Sequence, residues 1–282
     1  GTGYLGYEYF GEAEDVQFAK ERYRDLYDSA FIFGRTFMVF DHTHDRALIA
    51  AVRYAGETGV DTDRVLDDLE ARIKASVNRS AEAKSFTARI VSPDDREEFI
   101  GKVQTVKDEI YKGNLLQCVL SRMVQIESDI TPVNAYRNLR MKNPSPYMFF
   151  LNFGSFQVYG ASPEVMVKVK ADTVIVRPIA GTAKRGKDAA EDVANENWLK
   201  NDIKERAEHL MLIDLGRNDV GKVSVGGTVT VPEMMVIERY SRVMHLVSEV
   251  RGKKEPGRSV IDVVKATFPA GTVSGAPKIQ AV

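Results

Sequence analysis

Glu205-Arg-Ala-Glu-His-Leu-Met-Leu-Ile-Asp-Leu-Gly-Arg-Asn-Asp219 places Glu205, Glu208 and His209 three and four residues apart, which puts them on one face if the segment is helical. Leu210, Met211, Leu212 and Ile213 follow directly, so that face is anchored beside a core. Two carboxylates on a rigid element suit a hard cation such as magnesium, which takes one or two protein carboxylates and leaves its other positions to substrate and water. Read by itself, the string equally describes a solvated, charged helix face. Its neighbours in the chain decide between the two.

Outward from this segment, helix and strand signals come in mixed runs. Trp198 to Leu215 reads as helix, and Ser259 to Phe268 as a helix capped by Ser259. Ser92, Pro93 and Gly113 are N-cap, first residue and stop of another, with Phe99, Val103, Val106 and Ile110 as its apolar stripe. Val65 to Val77 has helical spacing, and Thr131-Pro132 opens a short helix to Met141. Strands are expected at 31–40, 47–54, 115–126, 147–153, 156–161, 165–169, 173–178, 223–225, 228–231 and 244–250. Lys184 to Asn195, glycine-containing and charge-rich, reads as a mobile loop over a site. The order lacks regular βαβ alternation, so the expected class is α+β. With no repeat or Gly/Ser linker in the sequence, one domain over 1–282 is expected, 91–282 carrying the core motifs.

Bulk properties exclude several classes. The chain has 39 basic and 40 acidic residues, net charge −1, so no nucleic-acid or membrane surface is indicated. One cysteine, Cys118, rules out an internal disulfide and fits a reducing, cytoplasmic compartment, a plastid being the other option. No apolar run approaches the roughly 20 residues of a membrane span. The start at Gly1 and the stop just after Ser274-Gly-Ala-Pro-Lys-Ile-Gln280 suggest an internal piece of a longer enzyme. Asp41-His-Thr-His-Asp45 reads as a polar hairpin turn rather than a metal cluster, and Asn78-Arg-Ser80 is a bare glycosylation triplet.

Three further motifs accompany the glutamate segment: Arg177-Pro-Ile-Ala-Gly-Thr182, Arg239-Tyr-Ser-Arg-Val-Met-His-Leu-Val-Ser248 and Phe268-Pro-Ala-Gly-Thr-Val-Ser-Gly-Ala-Pro-Lys278. In order and spacing the four resemble those of the chorismate-binding enzymes, most closely the anthranilate synthase branch. The resemblance covers nearly the whole chain and is strongest after Gly113. It implies two packed antiparallel sheets flanked by helices, with the active site between them. It also implies conversion of chorismate and ammonia to anthranilate and pyruvate for tryptophan biosynthesis, with a glutamine amidotransferase subunit supplying the ammonia.

The same resemblance assigns residues. Glu208 becomes the first magnesium ligand, with Glu205 as second ligand or water holder. His245 becomes the group that serves the aromatising elimination. Gly181, Thr182 and Thr272 become chorismate contacts, and Lys278 a possible carboxylate partner. Arg217, Asn218 and Asp219 would brace the site. Ala180 and Gln117 stand where other branches carry a lysine that attacks the ring or activates water, which leaves external ammonia as nucleophile. Asn143, Pro144, Pro146, Tyr147, Met148 and Phe149 are similar to residues lining a tryptophan feedback pocket. Gly216 and Gln280 depart from the usual alanine and arginine, and the ligating carboxylate that the family places near its C-terminus is not in this sequence. The alternatives are an aminodeoxyisochorismate synthase, which keeps the enolpyruvyl ether, and a catalytically silent subunit of the same fold.

Overall fold

A computed structural model of the protein describes residues 1–16, 18, 26–76, 85–92 and 95–282. They group into two units, Gly1–Gly6 with Tyr27–Thr87, and Tyr7–Leu26 with Ala88–Val282.

In the first unit β1 (Thr2–Leu5) pairs with β2 (Ser29–Ile32), and β3 (Thr36–Asp41) with β4 (Arg46–Ala51), all antiparallel. The β3–β4 turn is the expected polar hairpin. Asp41 Oδ1 accepts from the N–H groups of Thr43 (3.1 Å) and His44 (3.2 Å), while Oδ2 meets His44 Nδ1 at 2.8 Å and Arg46 Nε at 3.0 Å. The aspartate thus supplies the turn's hydrogen bonds and meets both the His44 ring and the Arg46 guanidinium. Helix α1 (Thr62–Ser76) completes the unit.

The second unit begins with a 3-10 turn at Tyr7–Glu12. Then come β5 (Ala88–Ile90), α2 (Arg96–Tyr111), β6 (Gln117–Cys118), β7 (Ile126–Ser128), α3 (Pro132–Lys142), β8 (Tyr147–Asn152) and β9 (Gln157–Ser162). β10 (Lys168–Lys170), β11 (Thr173–Val176), β12 (Ile179–Lys184), α4 (Ala189–Asn201), α5 (Ile203–Gly221), β13 (Thr230–Arg239) and β14 (Val243–Lys253) follow. The chain continues through α6 (Val260–Thr267), a 3-10 turn at Gly271–Val273, β15 (Gly275–Ala276) and α7 (Lys278–Ala281). Among the described residues the largest sheet has five strands, ordered β10-β11-β14-β12 with β13 also on β14, and the other strands form two-stranded ladders. Every ladder among the described residues is antiparallel, which gives the α+β class read from the sequence.

The core explains the long glutamate helix. Leu212, Ile213 and Val220 of α5 are buried, and Ile213 and Val220 pack with Val174, Val176, Val250 and Val263. Each such side chain contributes roughly 1.5–3 kcal/mol of transfer free energy. Gly216 permits the close approach: a Cβ there would stand 3.1 Å from Val176 Cγ2. Asp202 divides α4 from α5, ending one as C-cap and opening the other by accepting from Glu205 N–H at 2.9 Å. Ser259 and Asp262 form the capping box of α6.

Four expectations are corrected. Lys184 to Asn195 is not a mobile loop over a site: Lys184 ends β12, only 185–188 connect, and Ala189 onward is α4, capped by Asp188 and held by Arg185 on Asp192. That carboxylate is held down to about 2 by the Arg185 hydrogen bonds and the Gly186 N–H. Residues 115–126 are not one buried strand: ladder partners exist only at the ends, β15 for β6 and β5 for β7, and Leu116 and Met123 are exposed. Residues 223–225 form no strand, only an isolated bridge from Ser224 to Lys254. Helix α2 starts at Arg96 with Asp95 before it, later than Ser92 implied. Pro93, Val77 and Asn78-Arg-Ser80 lie outside the described residues.

Candidate active site

Strand β12 is the common wall of the candidate site. Its regular pairing with β14 is interrupted by a bulge between Ala180 and Thr182, where Gly181 takes φ +51°. Glycine adopts this left-handed conformation without the steric cost other residues meet. The missing side chain also makes room: a Cβ on Gly181 would stand 2.9 Å from Leu199 Cδ1 and 3.2 Å from Glu205 Oε2. The Gly-Thr pair is therefore the bulged part of a strand.

After the bulge Thr182 lies opposite His245, which is itself opposite Glu238 on β13. Thr182 Oγ1 is 3.0 Å from His245 Nδ1. Burial lowers the His245 pKa, while a backbone hydrogen bond with Gly181 and the charge of Glu238 oppose that shift. Tyr240 meets His245 edge-on with ring centroids 5.4 Å apart, and its hydroxyl donates to Glu238 Oε2 at 2.6 Å. Arg177 Nη2 holds the other Glu238 oxygen at 2.7 Å.

Before the bulge, the Ile179 N–H points to Glu164 Oε1 at 3.4 Å. Desolvation pushes Glu164 up to about 7, with the Thr272 hydroxyl and the Ile179 N–H pulling the other way. Sequence reasoning missed this residue. Its only sequence signal is a lone acid closing Ala161-Ser-Pro-Glu164 in an otherwise apolar stretch. Thr272 and Glu164 line one cleft with Val176, Arg177, Leu212 and Asp219 among its other walls.

The carboxylates of α5 complete the arrangement. Glu205 and Glu208 are half-buried one turn apart, Glu205 against Gly181 and Glu208 within 3.5 Å of Gln117 Nε2. Gln117 faces Ala276 across the β6–β15 ladder, and so ties α5 to the segment that follows Thr272. His209 does not join them. It is fully buried with Nε2 2.7 Å from Ser248 Oγ, and burial drives its pKa down to about 4. Among the described residues no group of three or more His, Cys, Asp or Glu is arranged for a metal. A pair of carboxylates with one oxygen in a glycine cradle does fit magnesium, whose remaining positions go to substrate and water.

Lys278 stands apart from its expected role. It is 8% exposed, with Nζ 2.6 Å from Asp219 Oδ2 and 3.3 Å from the Thr267 carbonyl. An ammonium so enclosed is an internal tie, not a contact for an incoming carboxylate. Of the trio expected to brace the site, Asp219 does so through this pair, whereas Arg217 is exposed and bonded to Asp214. Asn143 caps α3 through its N–H to Leu139, Tyr147 to Phe149 start β8, and the Phe149 ring covers Gly160, where a Cβ would come within 2.6 Å. Pro144 and Pro146 lie in the short connection between α3 and β8.

The model of the family described as chorismate binding enzyme matches residues 1–282. The chain belongs to this family. It is similar to anthranilate synthase component 1 of Spirochaeta aurantia, 43% identical over 291 residues that cover all of this chain and 60% of the relative. It is 54% identical to the Pseudomonas aeruginosa protein of the same name over 187 residues, 66% of this chain and 38% of that one. A crystal structure of anthranilate synthase component I from Streptococcus pneumoniae TIGR4 matches with TM-score 0.85 and 36% identity, covering 99% of this chain and 62% of the other. The chain thus spans 60% or less of these two curated relatives. As a chorismate-binding enzyme it brings three of the four motifs together at β12, and Thr272 of the fourth reaches that strand through Glu164. None of its described helices is long and apolar enough to cross a membrane.

Proposed function

We propose that the chain is the catalytic part of an anthranilate synthase large subunit, a cytoplasmic lyase in tryptophan biosynthesis acting on chorismate with ammonia from a glutamine amidotransferase partner. The observation that carries this reading is the convergence on β12 of Glu164, Glu205 and His245. The neutral Ala180 and Gln117, together with the names of the relatives, support ammonia as the nucleophile.

Each group then has a task. Ammonia adds at ring C2 as the C4 hydroxyl leaves, and the protonated Glu164 carboxyl gives that hydroxyl its proton so that water departs. The proton lost by the attacking ammonia restores Glu164. His245 serves the second half, taking the C2 proton and returning it to the methylene carbon of the enolpyruvyl group. The C–O bond breaks, the ring becomes aromatic and pyruvate leaves. Thr182 orients the imidazole through Nδ1. Glu205 and Glu208 would hold magnesium, which supplies Lewis-acid charge beside the ring carboxylate. Gly181, Thr182 and Thr272 are the proposed chorismate contacts.

The test incubates the full-length protein with chorismate, magnesium and an ammonium salt, following fluorescence and product mass. Anthranilate with equimolar pyruvate is the expected outcome. An aminated product retaining the enolpyruvyl group would show the aminodeoxyisochorismate reaction instead, and binding without turnover would show a silent subunit.

A further inference from the structure

The cleft lined by Glu164 holds a cavity of about 30 Å³. That is enough for roughly two waters, since one needs about 10–15 Å³. Its walls are largely apolar, with Val165, Met166, Val176, Leu212 and Leu215 among them. Three buried polar atoms on these walls stand out, one of them Arg177 Nε, 3.3 Å from Glu249 Oε2. Asp219 Oδ1 and Thr272 Oγ1 are both buried without a well-formed hydrogen bond to protein. Asp219 is 4% exposed, and its other oxygen is committed to Lys278 at 2.6 Å. Leaving a buried carboxylate oxygen unpaired is costly, so buried acceptors of this kind are met by ordered water. The cavity has the volume for it, and Asp219, Thr272 and Glu164 together provide the two to four polar partners that a buried water requires.

We propose that this cavity is a water site joining the Glu164 carboxyl, past the Thr272 hydroxyl, to the Asp219–Lys278 ion pair, and that Asp219 is a positioning residue for the Glu164 proton. The water fixed by Asp219 Oδ1 accepts from the Glu164 O–H side of the cavity or donates to its carboxylate, according to which form is present. The groups facing Glu164 are the Ile179 N–H on β12, the Thr272 hydroxyl, and Arg177 and Asp219 across the cleft. Arg177 is engaged by Glu238 and lies 3.3 Å from Glu249, so Asp219 is the acceptor left to hold water. The inference rests on Glu164 as the proton donor of the proposed reaction.

The experiment compares Glu164→Gln, Asp219→Asn and the paired replacement Asp219→Leu with Lys278→Met in the full-length enzyme. The paired change removes both buried charges and keeps the volume apolar, so the fold survives where a single change strands the lysine. Asp219→Asn and the pair should each lower kcat about tenfold, the worth of one good hydrogen bond, with KM for chorismate unchanged. Both should shift the limb of the kcat–pH profile assigned to Glu164 and the infrared C=O stretch of its protonated carboxyl. Wild-type kcat, pH limb and carbonyl stretch in the pair would overturn the water site while leaving Glu164 in its role. Full activity in Glu164→Gln would instead overturn the proton-donor reading, and the water site with it.

Discussion

The Tyr240 ring meets His245 edge-on at 5.4 Å while its hydroxyl is bound to Glu238 at 2.6 Å, so one tyrosine braces the imidazole and the carboxylate opposite it. Burial and the Glu238 hydrogen bond push that phenol up to about 12, and it stays a donor. Burial lowers the His245 pKa, and Glu238 partly restores it. Glu238→Gln should therefore move the acidic limb of the kcat–pH profile to lower pH. A limb that stays in place, or moves to higher pH, would rule out this coupling. Tyr240→Phe should reproduce part of the shift by freeing Glu238 to turn away.

Gly181→Ala should injure the site more than the fold. An alanine at φ +51° costs on the order of 1 kcal/mol, and its methyl would press on Glu205 Oε2 and Leu199. We expect weaker Mn²⁺ binding, read by electron paramagnetic resonance, with thermal stability only modestly reduced. Equal Mn²⁺ affinity in the variant would detach Glu205 from the metal. Glu208→Gln should weaken the same signal by an order of magnitude or more.

Glu164 should be a stability liability above its own pKa. Its folded value of about 7 lies above the ordinary 4.5, so the folded chain binds the proton more tightly than the unfolded one. The contribution to stability is therefore complete below pH 4.5 and lost as pH rises through 7. Glu164→Gln should be more stable than wild type at pH 8, by on the order of 2–3 kcal/mol after allowance for partial exposure. The gap should close by pH 4.5. Urea unfolding at both values measures it, and a gap independent of pH would contradict the raised value.

We propose tryptophan as a feedback inhibitor of the full-length enzyme, and its inhibition should weaken in Pro146→Ala and in Met148→Thr. Pro146 leads into β8 and Met148 is its second residue, and the first, Tyr147, lies near enough to Tyr240 to affect its ionisation. Unchanged inhibition constants in both variants would remove these residues from a feedback pocket.

The pieces legible in the sequence were those with strong local chemistry. The capping signals at Thr131, Asp202 and Ser259 all act as caps in the structure, though only the first and last were read as helix starts. The hairpin at Asp41–Asp45 and the helical carboxylate pair at Glu205 and Glu208 were equally readable. What escaped depends on contacts distant in sequence. Lys278 looks like a free cation until Asp219, 59 residues earlier, is found against it. Glu164 looks like an ordinary acid until the walls that desolvate it are assembled from Val176, Leu212 and Thr272. Residues 115–126 have strand composition, but only their ends find partners.

The extra residue in β12 acts as a phase switch. Were the ladder regular, Gly181 would stand opposite His245, and the Thr182 hydroxyl would point with Met244 into the apolar cluster. By lengthening one strand a single step, the bulge reverses the alternation. The hydroxyl comes out beside the imidazole and the methyl of Ala183, 6% exposed, goes in. Residues before position 181 therefore keep the parity of the core while those after it keep the parity of the chemistry. A chain of the same composition with the glycine moved one place could fold as tightly and have no hydroxyl to offer its histidine.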